Sequence, residues 1–174
     1  ERLTRLSADL LDLSRLDAAV ALREEPVDLA ELTRAVLAEF GSVELDGEEA
    51  WALADPGAVA RILRILVDNA RRFGEQAEVA LRNGGERCEI AVRDRGPGVL
   101  PEDRERIFER FQRGSRPPQD GGFGLGLAIG RELAIRMGGG LRLDAACAPG
   151  ARFVLELPAA SQTALHDPEA LPRA

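Results

Sequence analysis

Asn69, Asp94 and two groups of glycines are the residues of this chain whose types and spacing suit chemistry on a ligand. The glycine groups are Asp94-Arg95-Gly96-Pro97-Gly98 and Gly122-Phe123-Gly124-Leu125-Gly126-Leu127. Glycine adopts positive φ and lets backbone approach a ligand closely, so one group suits the lining of a base and the other the presentation of amides to phosphate. Asp94 stands at the end of an expected strand, where its carboxylate can accept a hydrogen bond from the exocyclic amine of adenine. Guanine presents an oxygen there and is repelled. A simple Asp-Gly turn accounts for the motif alone, but not for its position between Asn69 and the second glycine group. Asn69 offers an amide oxygen of the kind Mg2+ accepts, with phosphates and waters completing the octahedron; taken alone it reads equally as the solvent border of an amphipathic helix. Gly122, Gly124 and Gly126 open an apolar helix whose unpaired amides and positive dipole end favour an anion.

The elements that position these residues follow from periodicity. Asp55 caps a helix with Pro56 at its first position, and Val59, Ile62, Leu63, Leu66, Val67 and Ala70 form an unbroken stripe at 3.6-residue spacing. Ile65, Asn69, Arg72 and Phe73 fall at i, i+4, i+7 and i+8 and share another face of that helix. Before it, Asp28 with Glu31 starts a helix carrying Leu29, Leu32, Val36, Leu37 and Phe40, and residues 43–45 and 51–54 read as short strands. After it, residues 78–82 and 86–93 flank Asn83-Gly84-Gly85 as a hairpin. An irregular stretch over residues 100–122 contains a short helix near residues 102–111. There Phe108 and Phe111 pack in the core and anchor a mobile second half. Leu125, Ile129, Leu133 and Met137 mark the last helix, stopped by Gly138-Gly139-Gly140, and residues 141–145 and 152–157 form a final hairpin. Beyond Pro158 the composition is that of a disordered tail. This order predicts an α/β sandwich: a mixed, largely antiparallel sheet with helices packed on one face.

Composition bounds the function. The 174 residues suit one domain plus an appendage, and a hydrophobic fraction of 45% supports a core. A net charge of −7 with no basic run argues against nucleic acid, so an anionic nucleotide must be held locally. All 23 basic residues are arginines, a compositional bias. No segment reads as a membrane span or a signal peptide. Cys88 and Cys147 are expected inside strands as buried thiols in a reducing compartment. Leu3, Leu6, Leu10, Leu13 and Val20 form a helix seam, either a surface helix of the following domain or part of a helix hairpin.

The ordered set Asn-Ala-x-Arg-Phe, Asp-x-Gly-x-Gly, Phe-x-x-Phe and Gly-x-Gly-Leu-Gly-Leu closely resembles the ATP-binding catalytic domain of sensor histidine kinases. The resemblance runs from about Asp28 to Pro158 and implies the Bergerat-type fold shared with gyrase, heat-shock chaperones and mismatch-repair ATPases. It implies ATP and Mg2+ as cofactors, Asn69 as metal ligand, and Arg72 as phosphate contact beside Phe73, which replaces a more frequent tyrosine. It makes Asp94 the reader of adenine, with Gly96, Gly98 and Val99 in the ATP site beside it. Phe108 and Phe111 correspond to the F box at one end of a lid over residues 113–122, and Arg113 to a lid-side cation that reaches phosphate. Gly122, Gly124, Leu125, Gly126 and Leu127 correspond to the phosphate-side turn.

The resemblance divides the chain into a remnant of a second dimerisation helix (1–22), a linker (23–27), the ATP-binding catalytic domain (28–158) and a disordered tail (159–174). It implies a truncated kinase whose partners are the phosphoacceptor and dimerisation domain and a response regulator. The full-length protein would be a membrane-bound homodimer with this domain in the cytoplasm. In hydrolysing relatives a glutamate one helical turn before the metal-binding asparagine acts as general base; here that position is Ile65, and Asp68 points about 100° away around the helix. Ile65, where kinases often carry a second asparagine, and Phe123, where a small or hydroxyl residue is usual, depart from the pattern. They leave a regulatory pseudokinase as a second reading; a self-sufficient ATPase is a third, and the absence of glutamate at residue 65 counts against it. His166, the single histidine, lies in the tail and is expected to be a bystander, so no catalytic residue for phosphoacceptance is present.

Overall fold

Two helices start by the same device. Asp28 Oδ1 accepts hydrogen bonds from the amides of Ala30 and Glu31 at 2.9 and 3.0 Å, which starts α1 (Leu29–Ala38). Asp55 Oδ1 accepts from the Ala58 amide at 2.9 Å and starts α2 (Pro56–Gly74). Each cap satisfies amides that the first turn leaves unpaired and contributes about 1 kcal/mol. The expected stripe of α2 is buried from Val59 to Ala70. Its burial fixes the rotation of the helix, and with it the direction in which Asn69 points.

The computed structural model describes residues 21–41, 43–47, 49–74, 76–112, 123–147 and 149–161. The leucine seam of the first segment, Arg113, Gly122, the lid between them and His166 lie outside the described residues. Strands β1 (Glu25–Asp28) and β3 (Trp51–Ala54) pair antiparallel. Five further strands, β2 (Leu45–Gly47), β4 (Ala77–Asn83), β5 (Arg87–Asp94), β6 (Gly140–Leu143) and β7 (Arg152–Pro158), form one sheet in the order β2-β4-β5-β7-β6. Its β2–β4 pair is parallel and the other three are antiparallel, so the sheet is mixed and largely antiparallel.

Register decides which face meets the helices. Leu81, Ile90, Leu155 and Leu141 lie opposite one another across four strands and are all buried; so are Val79, Val92 and Phe153 one step along. The three helices, α1, α2 and α3 (Gly126–Arg136), pack on this face. On the open face Glu89 and Glu156 lie directly opposite each other, a repulsive pairing on its own. Arg142 offsets it by donating to Glu156 at 2.6 Å and to Glu89 at 3.1 Å. Past α3, Gly138 takes φ +67 and the Gly139 amide donates to the Ala134 carbonyl at 2.9 Å, the left-handed stop expected of the glycine run.

Several boundaries differ from expectation. Glu25–Asp28, most of the expected linker, is β1, because its backbone finds a partner in β3 that is far away in sequence. The strand expected at 43–45 is shifted to Leu45–Gly47. The expected tail begins inside the fold: the Ala159 amide donates to the Glu86 carbonyl at 3.0 Å and the Ala160 amide to that of Trp51 at 2.8 Å. Instead of one short helix after residue 100 there are two 3-10 turns, Pro101–Asp103 and Arg106–Phe108. Cys88 is buried in β5, and burial pushes its thiol pKa up. Cys147 is neither buried nor in a strand; it lies half-exposed in the loop after β6. No helix among the described residues is long and apolar enough to cross a membrane.

Candidate functional site

Asp94 ends β5 and is almost wholly buried, at 5% exposure. Both hydrogen bonds to that carboxylate reach Oδ1, from the amide of Gly96 at 2.8 Å and from that of Ala151 at 3.2 Å. Its own amide donates to the Ala151 carbonyl at 2.9 Å. One oxygen is therefore fixed by two backbone donors, and Oδ2 is left to accept from something else. A buried carboxylate with one oxygen anchored selects a ligand with an N–H donor and rejects one with a carbonyl in the same place.

The glycines around Asp94 admit protein backbone at close range. A Cβ on Gly96 would collide with the carbonyl of Phe73, and one on Gly98, at φ +70, would come within 2.9 Å of the Gly150 carbonyl oxygen. Gly74 would bring a Cβ to 2.7 Å from Asp94 Cβ. These positions are bare so that protein backbone can meet protein backbone. The close approach builds the turn that aims Asp94, and Val99 packs half-buried against the core beside it.

α2 acts as the spine of the site. Its last residue, Gly74, abuts the Asp94 turn; nine residues earlier, Ile65 Cγ2 would lie 3.2 Å from a Cβ on Gly126, the first residue of α3. At 1.5 Å per residue the two contacts are about 13 Å apart along the axis, of the order of an extended nucleoside triphosphate. Asn69 lies between them along the axis, one turn after Ile65 and on the same face as it, half-buried. Arg72 holds its guanidinium 5.6 Å from the ring centre of Phe73, which is 53% exposed at the end of α2.

At the other end, α3 differs from α1 and α2. Leu125 occupies its cap position and its apolar side chain makes no hydrogen bond to the first-turn amides, which include those of Gly126 and Leu127. An uncapped helix start with small residues is a ready receptor for an anion. Residues 111–112 and Gly124 meet directly: the Phe111 amide donates to the Gly124 carbonyl at 2.9 Å, and a Cβ on Gly124 would strike the Gln112 carbonyl. Phe108 is the anchor here, buried, edge-on to Phe153 at 6.2 Å and capped by the Arg131 guanidinium at 5.0 Å. Phe111 is not a core residue as expected. Its φ of 62 turns the amide toward Gly124 and leaves the ring 65% exposed.

An ion that keeps several waters and is held mainly through phosphates needs one protein oxygen rather than an acidic cage. Asn69 fits that requirement, and among the described residues no group of three or more His, Cys, Asp or Glu side chains gathers into a cage. The structure thus brings together Asn69, Arg72, Phe73, Asp94, Gly96 and Gly98 along α2 and the Asp94 turn, and Phe108, Gly124, Leu125, Gly126 and Leu127 around the start of α3. The sequence reading missed Gly74, Gly150, Ala151 and Arg131. Only the Pro149-Gly150 pair carried a local signal, that of a turn.

Gly150 is the most constrained of these. It holds φ +96, and a Cβ there would overlap the Asp94 carbonyl oxygen. Gly150→Val is expected to cost more than about 2 kcal/mol, from backbone strain plus overpacking, and to lower Tm by roughly 5 °C or more. Thermal unfolding followed by circular dichroism checks this; an unchanged melting curve would show that the turn yields without cost.

The profile of the family described as histidine kinase-, DNA gyrase B- and HSP90-like ATPase matches residues 54–161. The chain is 34% identical over 171 residues to the sensor protein KdpD of Rathayibacter rathayi, an alignment covering 93% of this chain and 20% of that protein. Full-length ShkA, solved in complex with AMPPNP, is similar at a TM-score of 0.75 and 35% identity, over 92% of this chain and 36% of that one. A mycobacterial sensor histidine kinase, MprB, is similar at a TM-score of 0.68 and 29% identity, over 79% of this chain and 98% of that one. The chain thus spans only a minor part of the length of KdpD and ShkA.

Proposed function

The chain belongs to the family of histidine kinase-, DNA gyrase B- and HSP90-like ATPases, and on that premise we propose that it binds Mg2+·ATP as the catalytic part of a two-component sensor kinase. Its γ-phosphoryl group goes to a histidine on the dimerisation domain of the same kinase, from which a response regulator receives it. The whole protein is then a homodimer, with this domain on the cytoplasmic side of a membrane. The observation that carries the reading is Asp94, a buried carboxylate with Oδ1 held by two amides and Oδ2 turned to a donor such as the adenine amine. The relatives support the kinase branch, since KdpD and MprB are named as sensors and ShkA binds an ATP analogue.

In the transfer, the bond from the γ-phosphorus to the oxygen bridging it to the β-phosphate breaks. A P–N bond to the imidazole forms, the imidazole proton passes to solvent, and ADP leaves with the electron pair. Such a reaction depends on positioning and charge neutralisation more than on protein covalent chemistry. Mg2+, when bound, neutralises the phosphate oxygens. Asp94 orients the base, Asn69 offers its amide oxygen at the middle of α2, and the open amides of α3 receive phosphate oxygens. No base activates water, because the residue one turn before Asn69 is Ile65, packed on an apolar cluster. Steady hydrolysis without an acceptor is therefore disfavoured.

Calorimetric titration of the chain tests the reading. ATP is expected to bind with and without Mg2+, more tightly with it, and GTP to bind more weakly than ATP. Absence of ATP binding under both conditions would overturn the assignment.

A further inference from the structure

Ile65 lies on the site-facing side of α2, one turn before Asn69, yet its side chain is committed to protein. It packs with Phe123 and Leu133 around Leu125 and Ile129, which are 1% and 0% exposed. Its Cγ2 also lies so close to bare Gly126 that a Cβ there would sit 3.2 Å away. This small cluster touches the main core through Leu133 and joins three things: the middle of α2, the segment at Phe123, and the first turn of α3. An uncapped turn has no side chain of its own to hold it. Gly124 holds φ +70 immediately before it. The contacts of Ile65 and Phe123 replace that missing restraint.

We infer that Ile65 and Phe123 are positioning residues. They clamp the anion-receiving turn of α3 against α2 before any nucleotide arrives, at the distance from the Asp94 turn that the triphosphate requires. The clamp is apolar and so does not depend on a metal. The inference rests on the ATP reading for its purpose but not for its structural content, and this separates the two in a test. A contrasting account treats Ile65 only as a lost polar ligand, in which case a polar residue there improves Mg2+·ATP binding.

The experiment compares wild type with Ile65→Val, Ile65→Asn, Phe123→Ser and the double variant Ile65→Asn/Phe123→Ser. Two measurements are made on each: hydrogen exchange of residues 124–129 without nucleotide, and calorimetric affinity for ADP without Mg2+ and for ATP with it. Ile65→Asn places an amide in an apolar cluster and should speed exchange at 124–129 and weaken ADP binding by about tenfold each. Ile65→Val should stay within about threefold of wild type, as a conservative change in packing. Phe123→Ser should resemble Ile65→Asn, and the double variant should lose less than the product of the two, because both remove one clamp. Unchanged exchange in Ile65→Asn, or tighter ATP binding only when Mg2+ is present, would overturn the inference. If Ile65→Asn does not fold, Ile65→Ala is read by the same criteria. Altered exchange in a protein whose wild type binds no ATP would uphold the clamp and overturn the nucleotide reading instead.

Discussion

Asp94→Asn is expected to weaken ATP binding about ten- to a hundredfold while leaving the fold intact. The direction follows from the two backbone donors. The amides of Gly96 and Ala151 require an acceptor at the Oδ1 position, so the asparagine oxygen must stay there and its NH2 must take the place of Oδ2. A donor then faces the adenine amine, where a carboxylate accepted from it. The loss is a charge-assisted hydrogen bond replaced by a donor–donor contact. Because both anchoring bonds survive, thermal stability should change little, and this separates the effect from that of Gly150→Val. Equal affinity of wild type and variant for ATP in a titration would remove Asp94 from base recognition. Preferential weakening of ATP relative to GTP would fix the contact to the exocyclic position.

The second large effect concerns transfer. Mixed with ATP, Mg2+ and a dimerisation hairpin carrying a phosphoacceptor histidine, the chain is expected to place acid-labile phosphate on the hairpin. Asn69→Ala should slow that reaction by about a hundredfold, the scale on which single preorganised electrostatic contacts act in a transition state. Asn69 is half-buried at the border of the α2 stripe and is not one of its buried residues, so its truncation removes little core packing, and the variant should keep its fold. High protein concentration is needed, because the covalent link that would raise the effective concentration is missing from the mixture. Transfer by Asn69→Ala at the wild-type rate would exclude Asn69 as the metal-binding oxygen. Phosphate on His166, or brisk ATP turnover without a hairpin, would overturn the kinase reading itself.

How far the sequence carried the structure depends on the range of the interactions involved. Periodic burial is local, so the α2 stripe and the face bearing Ile65, Asn69, Arg72 and Phe73 were legible from spacing alone. Caps are local too: Asp28 and Asp55 each bond an amide two or three residues on. The glycine run after α3 and the hairpin around Asn83-Gly84-Gly85 belong to the same class. Strand identity at Glu25–Asp28 was not legible, since nothing in those residues distinguishes a linker from an edge strand until Trp51–Ala54 pairs with them. Phe111 failed for a related reason. An apolar residue beside a buried one reads as core, and only the bond of its amide to Gly124 turns it outward.

The sequence by itself determined the inventory of the site: which helix carries Asn69, that Asp94 ends a strand, and that an unblocked helix start follows Gly124. These facts are encoded within a few residues of each position. The tertiary structure decided what aims them. Asp94 is oriented by the amide of Ala151, 57 residues further on, and by the bare backbones of Gly74 and Gly150. The start of α3 is set against α2 by Ile65, whose apolar character departs from the kinase pattern. The positions of the glycines are plain in the sequence, but the backbone that Gly96 and Gly98 meet is not, because which backbone a missing Cβ admits depends on contacts that no local spacing contains.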